Sequence, residues 1–525
     1  MKLQSLVYTI TAMLLGSSAI AQTTAVSGFV FEDKNNNGTR EASEKGLANV
    51  AVSNGKEVVL TDAKGQYTLN IGNDNIVFVI KPTGYKVPLD EYNLPKNYAI
   101  HKPQGTPAHF KFKGAQQSIN AAQSLDFGLI AQKEASDFSV YIFGDPQPYT
   151  MDEIRYFDMA IIQEAKNNNK IAFGISMGDL VGDNLDLHAP YKEAIKKMEM
   201  PWYNVMGNHD MNYDATADSL SDETFEKNFG PANYAFNYGN AHFIVLDDIL
   251  YPDPRDGKGY WGGFRPDQLA FIKNDLQHVS KDKLIVLNFH IPLLITGEDE
   301  FIRQDRQALF DLLEGYENVL AVSAHTHLQR QNFYTVTDGW RNRTPLHEYN
   351  VGTTSGDWYS GRINAQGVPA STMRDGTPKG YAIMQVKNNR YTLEYKVAGA
   401  PDDYQINIYA PKVLAKDKRT SASIFANFFM GTATDKVYCR IDNGDWKPMK
   451  YVLDVDPSFS SVNMQYDLSA TLLDGRRPSV AEPSTHLWIT GIPTKLAAGE
   501  HTIEVKATDM FGKTYTQKST YKIVE

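Results

Sequence analysis

Trp202-Tyr203-Asn204-Val205-Met206-Gly207-Asn208-His209-Asp210 is an apolar run of strand type that breaks at a glycine into an amide, an imidazole and a carboxylate. Four other stretches share this build. Phe138 to Phe143 leads to Asp145-Pro146-Gln147, and Ile171 to Ser176 leads to Gly178-Asp179. Leu284 to Leu287 runs into Asn288-Phe289-His290, and Val319 to Val322 precedes His325-Thr326-His327. Met151 to Lys166, Pro266 to Val279 and Arg303 to Leu313 have helical spacing between these runs. Alternating strands and helices predict a sheet covered on both faces. The polar residues then gather at the edge where the strands end.

Asp, Asn, Gln and His side chains at such an edge are ligands for divalent cations. Two cations about 3.5 to 4 Å apart, bridged by a carboxylate, can activate a water and draw charge from a phosphoryl group. Asp179 is the expected bridge. Asp145, Gln147 and His327 complete one metal site, and Asn208, His290 and His325 the other. His209 lies beside a ligand but is spare in that count. It is expected to donate to the leaving-group oxygen or to stabilise the phosphate, which makes His209 and Asp179 the expected catalytic pair. Asp183 sits where a carboxylate orients a ligand from behind or simply serves a turn. His242, inside a strand, and His188, in a helix lead-in, are expected to pack or face solvent.

Gly178-Asp179, Gly207-Asn208-His209, the lone His290 and His325-Thr326-His327 together resemble the calcineurin-like metallophosphoesterases. The resemblance is tight from Phe138 to His327 and looser to Lys396. It implies an α/β fold whose centre is a four-layer α/β/β/α sandwich. It also implies two divalent metal ions (Mn, Fe, Zn or similar) and metal-dependent hydrolysis of phosphomonoesters or phosphodiesters. Two departures stand out. Asp145-Pro146-Gln147 replaces the family's Asp-x-His, exchanging an imidazole for a weaker neutral ligand. Gly178-Asp179-Leu180-Val181-Gly182 lacks the tyrosine that purple acid phosphatases place there. An asymmetric pair of metals follows, one firmly ligated and one held more loosely.

The flanks read as β structure. Residues 22–132 contain short apolar runs split by Gly, Asn and Asp turns, a small β-sandwich. Within it, Asp33, Asn35, Asn37, Glu41 and Glu44 follow a calcium-loop pattern, although strands rather than helices flank them. The stretch from Gly28 to Leu69 resembles the prealbumin-like modules of bacterial surface proteins, which implies possible calcium there; turn geometry alone also accounts for the residues. Residues 136–398 form the central domain. Residues 400–525 alternate like a second β-sandwich, with no helix of length expected beyond Pro401.

A chain of 525 residues exceeds a single hydrophobic core, and 42% hydrophobic with 22% charged residues is a globular composition. A formal net charge of -10 argues against a nucleic-acid duplex as partner. Residues 1–21 carry Lys2, an apolar stretch from Leu6 to Leu15 and small residues ending at Ala21, the pattern of a cleaved signal peptide. A periplasmic or secreted protein, not integral to a membrane, is expected. Cys439 is the single cysteine, so no internal disulfide forms. Between Gln331 and Gly380 an insertion rich in aromatic and guanidinium side chains is expected to fold over the metals, with Trp340, Arg341 and Trp358 against the substrate. The substrate is a small-molecule, lipid or glycan phosphoester; the oligomeric state is not written in these residues. The alternative function is a non-catalytic surface or adhesion protein with a degenerate phosphoesterase domain.

Overall fold

The computed structural model describes residues 24–116, 118–120, 122–294 and 300–525. The stretch expected to be a signal peptide lies outside the described residues. β1 (Asp137–Phe143) shows how the sequence sets the layers of the central domain. Successive strand side chains point to opposite faces. Tyr141 and Phe143 therefore meet Phe157 and Tyr191 on the helical side, while Val140 and Ile142 meet Phe243, Val286 and Val322 of a second sheet. Burying each such side chain contributes roughly 1.5–3 kcal/mol, so register is fixed by the pattern.

In the first sheet, β3 (Trp202–Val205), β2 (Ile171–Met177) and β1 run parallel, followed by the antiparallel β10 (Gly380–Lys387) and β11 (Arg390–Val397). The second sheet has the order β4 (Tyr234–Tyr238), β5 (Ala241–Val245), β6 (Leu284–Asn288), β7 (Val319–Ser323), β9 (Leu346–Asn350) and β8 (Arg330–Tyr334), with β5, β6, β7 and β9 parallel. Helices α1 (Met151–Phe157) and α2 (His188–Lys196) cover the first sheet; α4 (Pro266–Leu276) and α5 (Arg303–Leu312) cover the second, and α3 (Glu223–Phe229) precedes β4. This is the four-layer α/β/β/α sandwich expected from the resemblance. Thr150 caps α1 through a reciprocal bond with Glu153, and a π-helical turn, Asp158–Ile162, prolongs it toward Ala165.

Two four-stranded sheets between Thr24 and Ala131 enclose Val26, Val30, Leu69, Val77 and Leu129. Their loop from Asp33 to Glu44 closes on itself. Asp33 accepts the N–H groups of Asn37 and Gly38, and Glu44 accepts those of Lys34 and Glu41. Asn35 and Asn37 each turn an NH2 group toward Glu41 Oε1, at 3.2 and 2.6 Å. The residues expected to offer oxygens to calcium thus spend much of their capacity on one another.

The C-terminal strands, Ile406–Tyr409 to Thr514–Val524, form a four- and a five-stranded sheet around Ile424, Trp488 and Val505. Cys439 lies buried there, and burial pushes its thiol up to about 11, which keeps it unreactive. One expectation fails: helix α6 (Pro457–Asp467) interrupts the strands. Its Ser- and Asn-rich sequence has weak helical propensity, but Asp456 caps the first turn and Pro457 starts it with a suitable φ. Among the described residues no helix is long and apolar enough to cross a membrane.

Candidate metal centre

All five polar stretches leave the C-terminal ends of parallel strands: β1, β2 and β3 of one sheet, β6 and β7 of the other. Just beyond the ends of β1 and β9, a parallel bridge between Gly144 and Thr353 ties the two sheets together. The loops turn inward at once, and five ligand-type residues do so in the left-handed region: Asp145 (φ 33°), Gln147 (39°), Asp179 (48°), His325 (67°) and His327 (53°). That conformation is uncommon for residues with a Cβ and persists only where the surroundings impose it; its clustering here marks a functional site. Two glycines permit the approach. A Cβ on Gly207 would stand 2.0 Å from Asp179 N, and one on Gly178 2.4 Å from His290 Nδ1.

Asp179, His290 and His325 bring ligand atoms within 4.8 Å of one another. Asn208 Oδ1 joins them, 3.1 Å from His290 Nε2 and 3.0 Å from His325 Nδ1. The two imidazole nitrogens are 3.2 Å apart, and His290 Nε2 lies 3.3 Å from Asp179 Oδ2. His290 donates its other N–H to Met177 O at 2.8 Å, which turns Nε2 inward. Burial pulls the His290 pKa down, but Asp179 and Asp145 outweigh it and raise it to about 10. The pocket therefore already attracts positive charge at the point where these lone pairs converge, and a divalent cation fits this donor set.

The second half is looser. His327 donates Nδ1–H to Gly356 O at 2.9 Å, and its Nε2 is 3.8 Å from Asp145 Oδ1. Burial lowers the His327 pKa to about 3, so the ring is neutral with a free lone pair. Asp145 Oδ2 and Gln147 Oε1 are buried with no hydrogen-bond partner among the described residues. Burial pushes the Asp145 carboxyl well above the usual carboxylate range, with His290 pulling the other way. Orphaned buried oxygens are costly, and a cation held by Asp145, Gln147, Asp179 and His327 would satisfy them. Gln147 also donates Nε2–H to Asp179 Oδ2 at 3.1 Å, a contact that an imidazole at this position would not make in the same way.

Asp179 spans both halves. Burial would raise its pKa, yet the charges on His290 and His209 hold it below the ordinary carboxylate range. Its Oδ1 accepts the His209 N–H at 2.9 Å. The His209 ring is half-buried and donates Nδ1–H to Asp183 Oδ1 at 2.6 Å, which leaves Nε2 as the nitrogen able to exchange a proton with a bound group.

Several supporting residues escaped the sequence reading. Asp210 is fully buried and accepts from the N–H groups of Leu180, Val181 and Gly207 and from His188 Nε2, tying two ligand loops together. Asp248 accepts from His290 N and Ile291 N. Both stand directly after strand ends, the signal that marked the ligands. His242 pairs with Asp275 inside the fold.

The insertion divides. Trp340, expected against the substrate, is 1% exposed, packs edge-on against Phe310 and donates to Thr344 O; it is a core residue of the second sheet's helical face. Arg341 is occupied by Asp311 and Glu314 around α5, not by the centre. Trp358 does reach it: its ring stacks on His327 with centroids 4.1 Å apart at 22°. Trp340 lies in the connection between β8 and β9 and is drawn inward against Phe310 of α5, a choice that composition does not reveal.

Family models described as calcineurin-like phosphoesterase, its N terminal and its C terminal match residues 138–329, 34–117 and 348–515. A curated relative, a probable glycerophosphodiester phosphodiesterase GpdQ of Arcobacter nitrofigilis, is 29% identical over 146 residues, 26% of this chain and 49% of that protein. Colossin-A of Dictyostelium discoideum is 45% identical over 58 residues, 10% of this chain and 0% of that protein. The chain thus spans about half the length, or less, of the curated relatives it matches. Among solved structures, purple acid phosphatase PPD1 from yellow lupin seeds is 14% identical, covers 72% of this chain and 67% of its own, with a TM-score of 0.37. GAP50, the anchor in the inner membrane complex of Plasmodium, is 15% identical and covers 50% of this chain and 85% of its own, with a TM-score of 0.31.

Proposed function

Because the chain belongs to the calcineurin-like phosphoesterases, we propose that it hydrolyses an organic phosphoester, a diester in preference to a monoester. The observation that carries this reading is the convergence of Asp179, Asn208, His290 and His325, with the orphaned oxygens of Asp145 and Gln147 beside them. When bound, two divalent cations such as Mn, Fe or Zn supply Lewis acidity and lower the pKa of a water. The chain's own residues do the rest. Asp145, Gln147 and His327 would hold one cation, Asn208, His290 and His325 the other, and Asp179 would serve both. His209, fixed by Asp183, holds a proton for the departing ester oxygen.

Diester preference is supported by the rim. The guanidinium groups that approach the centre are engaged: Arg374 with Glu482 and Thr326 O, Arg476 with backbone carbonyls. Neither guanidinium is bonded to a metal-ligand side chain, so neither is already aimed at the second charge of a monoester. The curated relative's name, a glycerophosphodiester phosphodiesterase, points the same way. Export through the N-terminal segment is part of the proposal; cell fractionation with N-terminal sequencing of the mature chain tests it.

The test of the function is metal analysis of the purified chain with hydrolysis of paired mono- and diester substrates, before and after chelation. Chelation is expected to abolish turnover and Mn, Zn or Fe to restore it, with the diester favoured. If no metal supports turnover, or Asp179→Asn retains it, the enzymatic reading fails and the non-catalytic surface role takes its place.

A further inference from the structure

The C-terminal β domain reaches the metal centre through one loop. Residues 468–482 follow α6 and are fastened to it: Asn463 donates to Ser479 O at 2.8 Å, Tyr466 to Asp474 O at 3.0 Å, and Arg477 pairs with Asp467. From this loop Arg476 Nη2 donates to Asp357 O at 3.2 Å and to Trp358 O at 2.5 Å. Gly361 N returns a bond to Arg476 O at 2.7 Å, and Ser479 N donates to the buried Asp357 carboxylate at 2.7 Å.

The segment so gripped needs holding. Trp358 (φ 47°) and Tyr359 (φ 54°) are consecutive bulky residues in the left-handed region, a strained conformation that persists only where neighbours impose it. The segment also faces the centre from two sides. The Trp358 ring lies on His327, Gly356 O fixes the His327 tautomer, and the Tyr359 hydroxyl donates to Pro146 O between Asp145 and Gln147. Burial raises the Tyr149 hydroxyl pKa and the Arg476 charge opposes that rise, while the Tyr149 ring sits edge-on to His209 at 5.9 Å. Trp358 is only half-buried, so part of its surface is open beside the ligands.

We propose that the C-terminal β domain is a working part of the active site, and that Arg476 is a positioning residue holding Trp358 as a stacking wall for a ring-bearing ester group of the substrate. The substrate class is then a phosphodiester with a planar base, aryl or sugar ring on the group that stays with the phosphate. Trp358 gives that ring a flat apolar partner, and Arg476 prevents the wall from relaxing out of its left-handed conformation.

This rests on the diester reading above, and the experiment separates the two. The full chain, loaded with manganese, is assayed on thymidine 5'-(p-nitrophenyl phosphate) and methyl p-nitrophenyl phosphate, which share a leaving group and differ only in the retained group. Arg476→Ala is expected to raise KM for the thymidine ester about tenfold more than for the methyl ester, Trp358→Ala to do the same, and the double variant to add little. Arg476→Lys should restore part of the difference. Independently of turnover, the metal-free chain is examined by near-ultraviolet circular dichroism, where wild type minus Trp358→Phe isolates this ring. Arg476→Ala should flatten that difference band and Arg476→Lys should keep it, with both variants melting as the wild type does. A band that survives Arg476→Ala, or KM values that rise equally for both esters, overturns the inference. If the wild type turns over neither ester, the diester reading falls and the dichroism comparison alone decides the wall.

Discussion

Two regions of this molecule are crowded with acid, amide and imidazole oxygens and nitrogens, and they behave in opposite ways. The Asp33–Glu44 loop satisfies most of its own groups: its bonds run between residues two to ten positions apart, Asn35 and Asn37 offer NH2 groups, not oxygens, to Glu41, and a single oxygen, Glu41 Oε2, is buried there without a partner among the described residues. The metal centre does not. Its contacts join residues 26 to 182 positions apart, its lone pairs converge, and two buried oxygens have no partner among the described residues. A loop folded by local bonds spends its donors and acceptors on turn geometry. A site assembled from strand ends has them left over, because the sheets, not the ligands, fix the backbone. What distinguishes a cation site is the convergence of several ligand atoms from distant segments on one point, not the density of polar residues.

The sharpest way to break this contrast is Asp179→Asn. It is expected to lower turnover by more than about 100-fold, the upper range for losing an outer-shell metal partner, with one or both metals lost on dialysis. Retained metal and turnover would mean that the convergence is not the site.

His209→Ala comes next. It should cost about 10²–10⁴-fold in kcat on an alkyl leaving group and much less on p-nitrophenolate, since a good leaving group does not need the proton. Metal content should stay as in the wild type. An equal loss on both substrates would assign His209 to phosphate binding instead.

Gln147→His sharpens the asymmetry within the centre. An imidazole is the better ligand for zinc and iron, so with either metal the metal-to-protein ratio after dialysis should rise toward two. A ratio unchanged by the substitution would mean that Asp145, Asp179 and His327 already suffice.

Asp33→Asn carries the smallest effect. Two backbone N–H groups lose a charged acceptor, which should cost on the order of 1–3 kcal/mol of stability and leave turnover alone. Calcium at millimolar concentration should shift the melting temperature of wild type and variant equally. A calcium-dependent rise confined to the wild type would show that the loop opens its oxygens to a cation after all.

Much of this architecture was legible before any coordinates. Apolar runs ending in Gly-Asp, Gly-Asn-His and His-x-His carry their meaning locally, because a strand must end before its side chains can turn to a ligand. Asp210 and Asp248 follow the same signal and were passed over because their work is to hold backbone N–H groups, a role with no residue signature. Helix α6 was hidden by weak propensity and made by its cap and its two buried residues, Phe459 and Asn463. Trp340 and Trp358 differ by eighteen positions in one aromatic insertion, and nothing in their neighbours tells which is core and which is wall.

The sequence by itself determined the alternation of strands and helices, the ligand types and the order in which they occur, since periodicity and residue chemistry are properties of short stretches. Tertiary structure decided the rest. It set which oxygens stay unpaired, which tautomer each imidazole holds, that the loop at Asp33 closes on itself, and that an arginine more than a hundred residues away braces Trp358 against His327. Each of these depends on which distant groups compete for the same hydrogen bond, and that competition exists only once the sheets have brought them within reach.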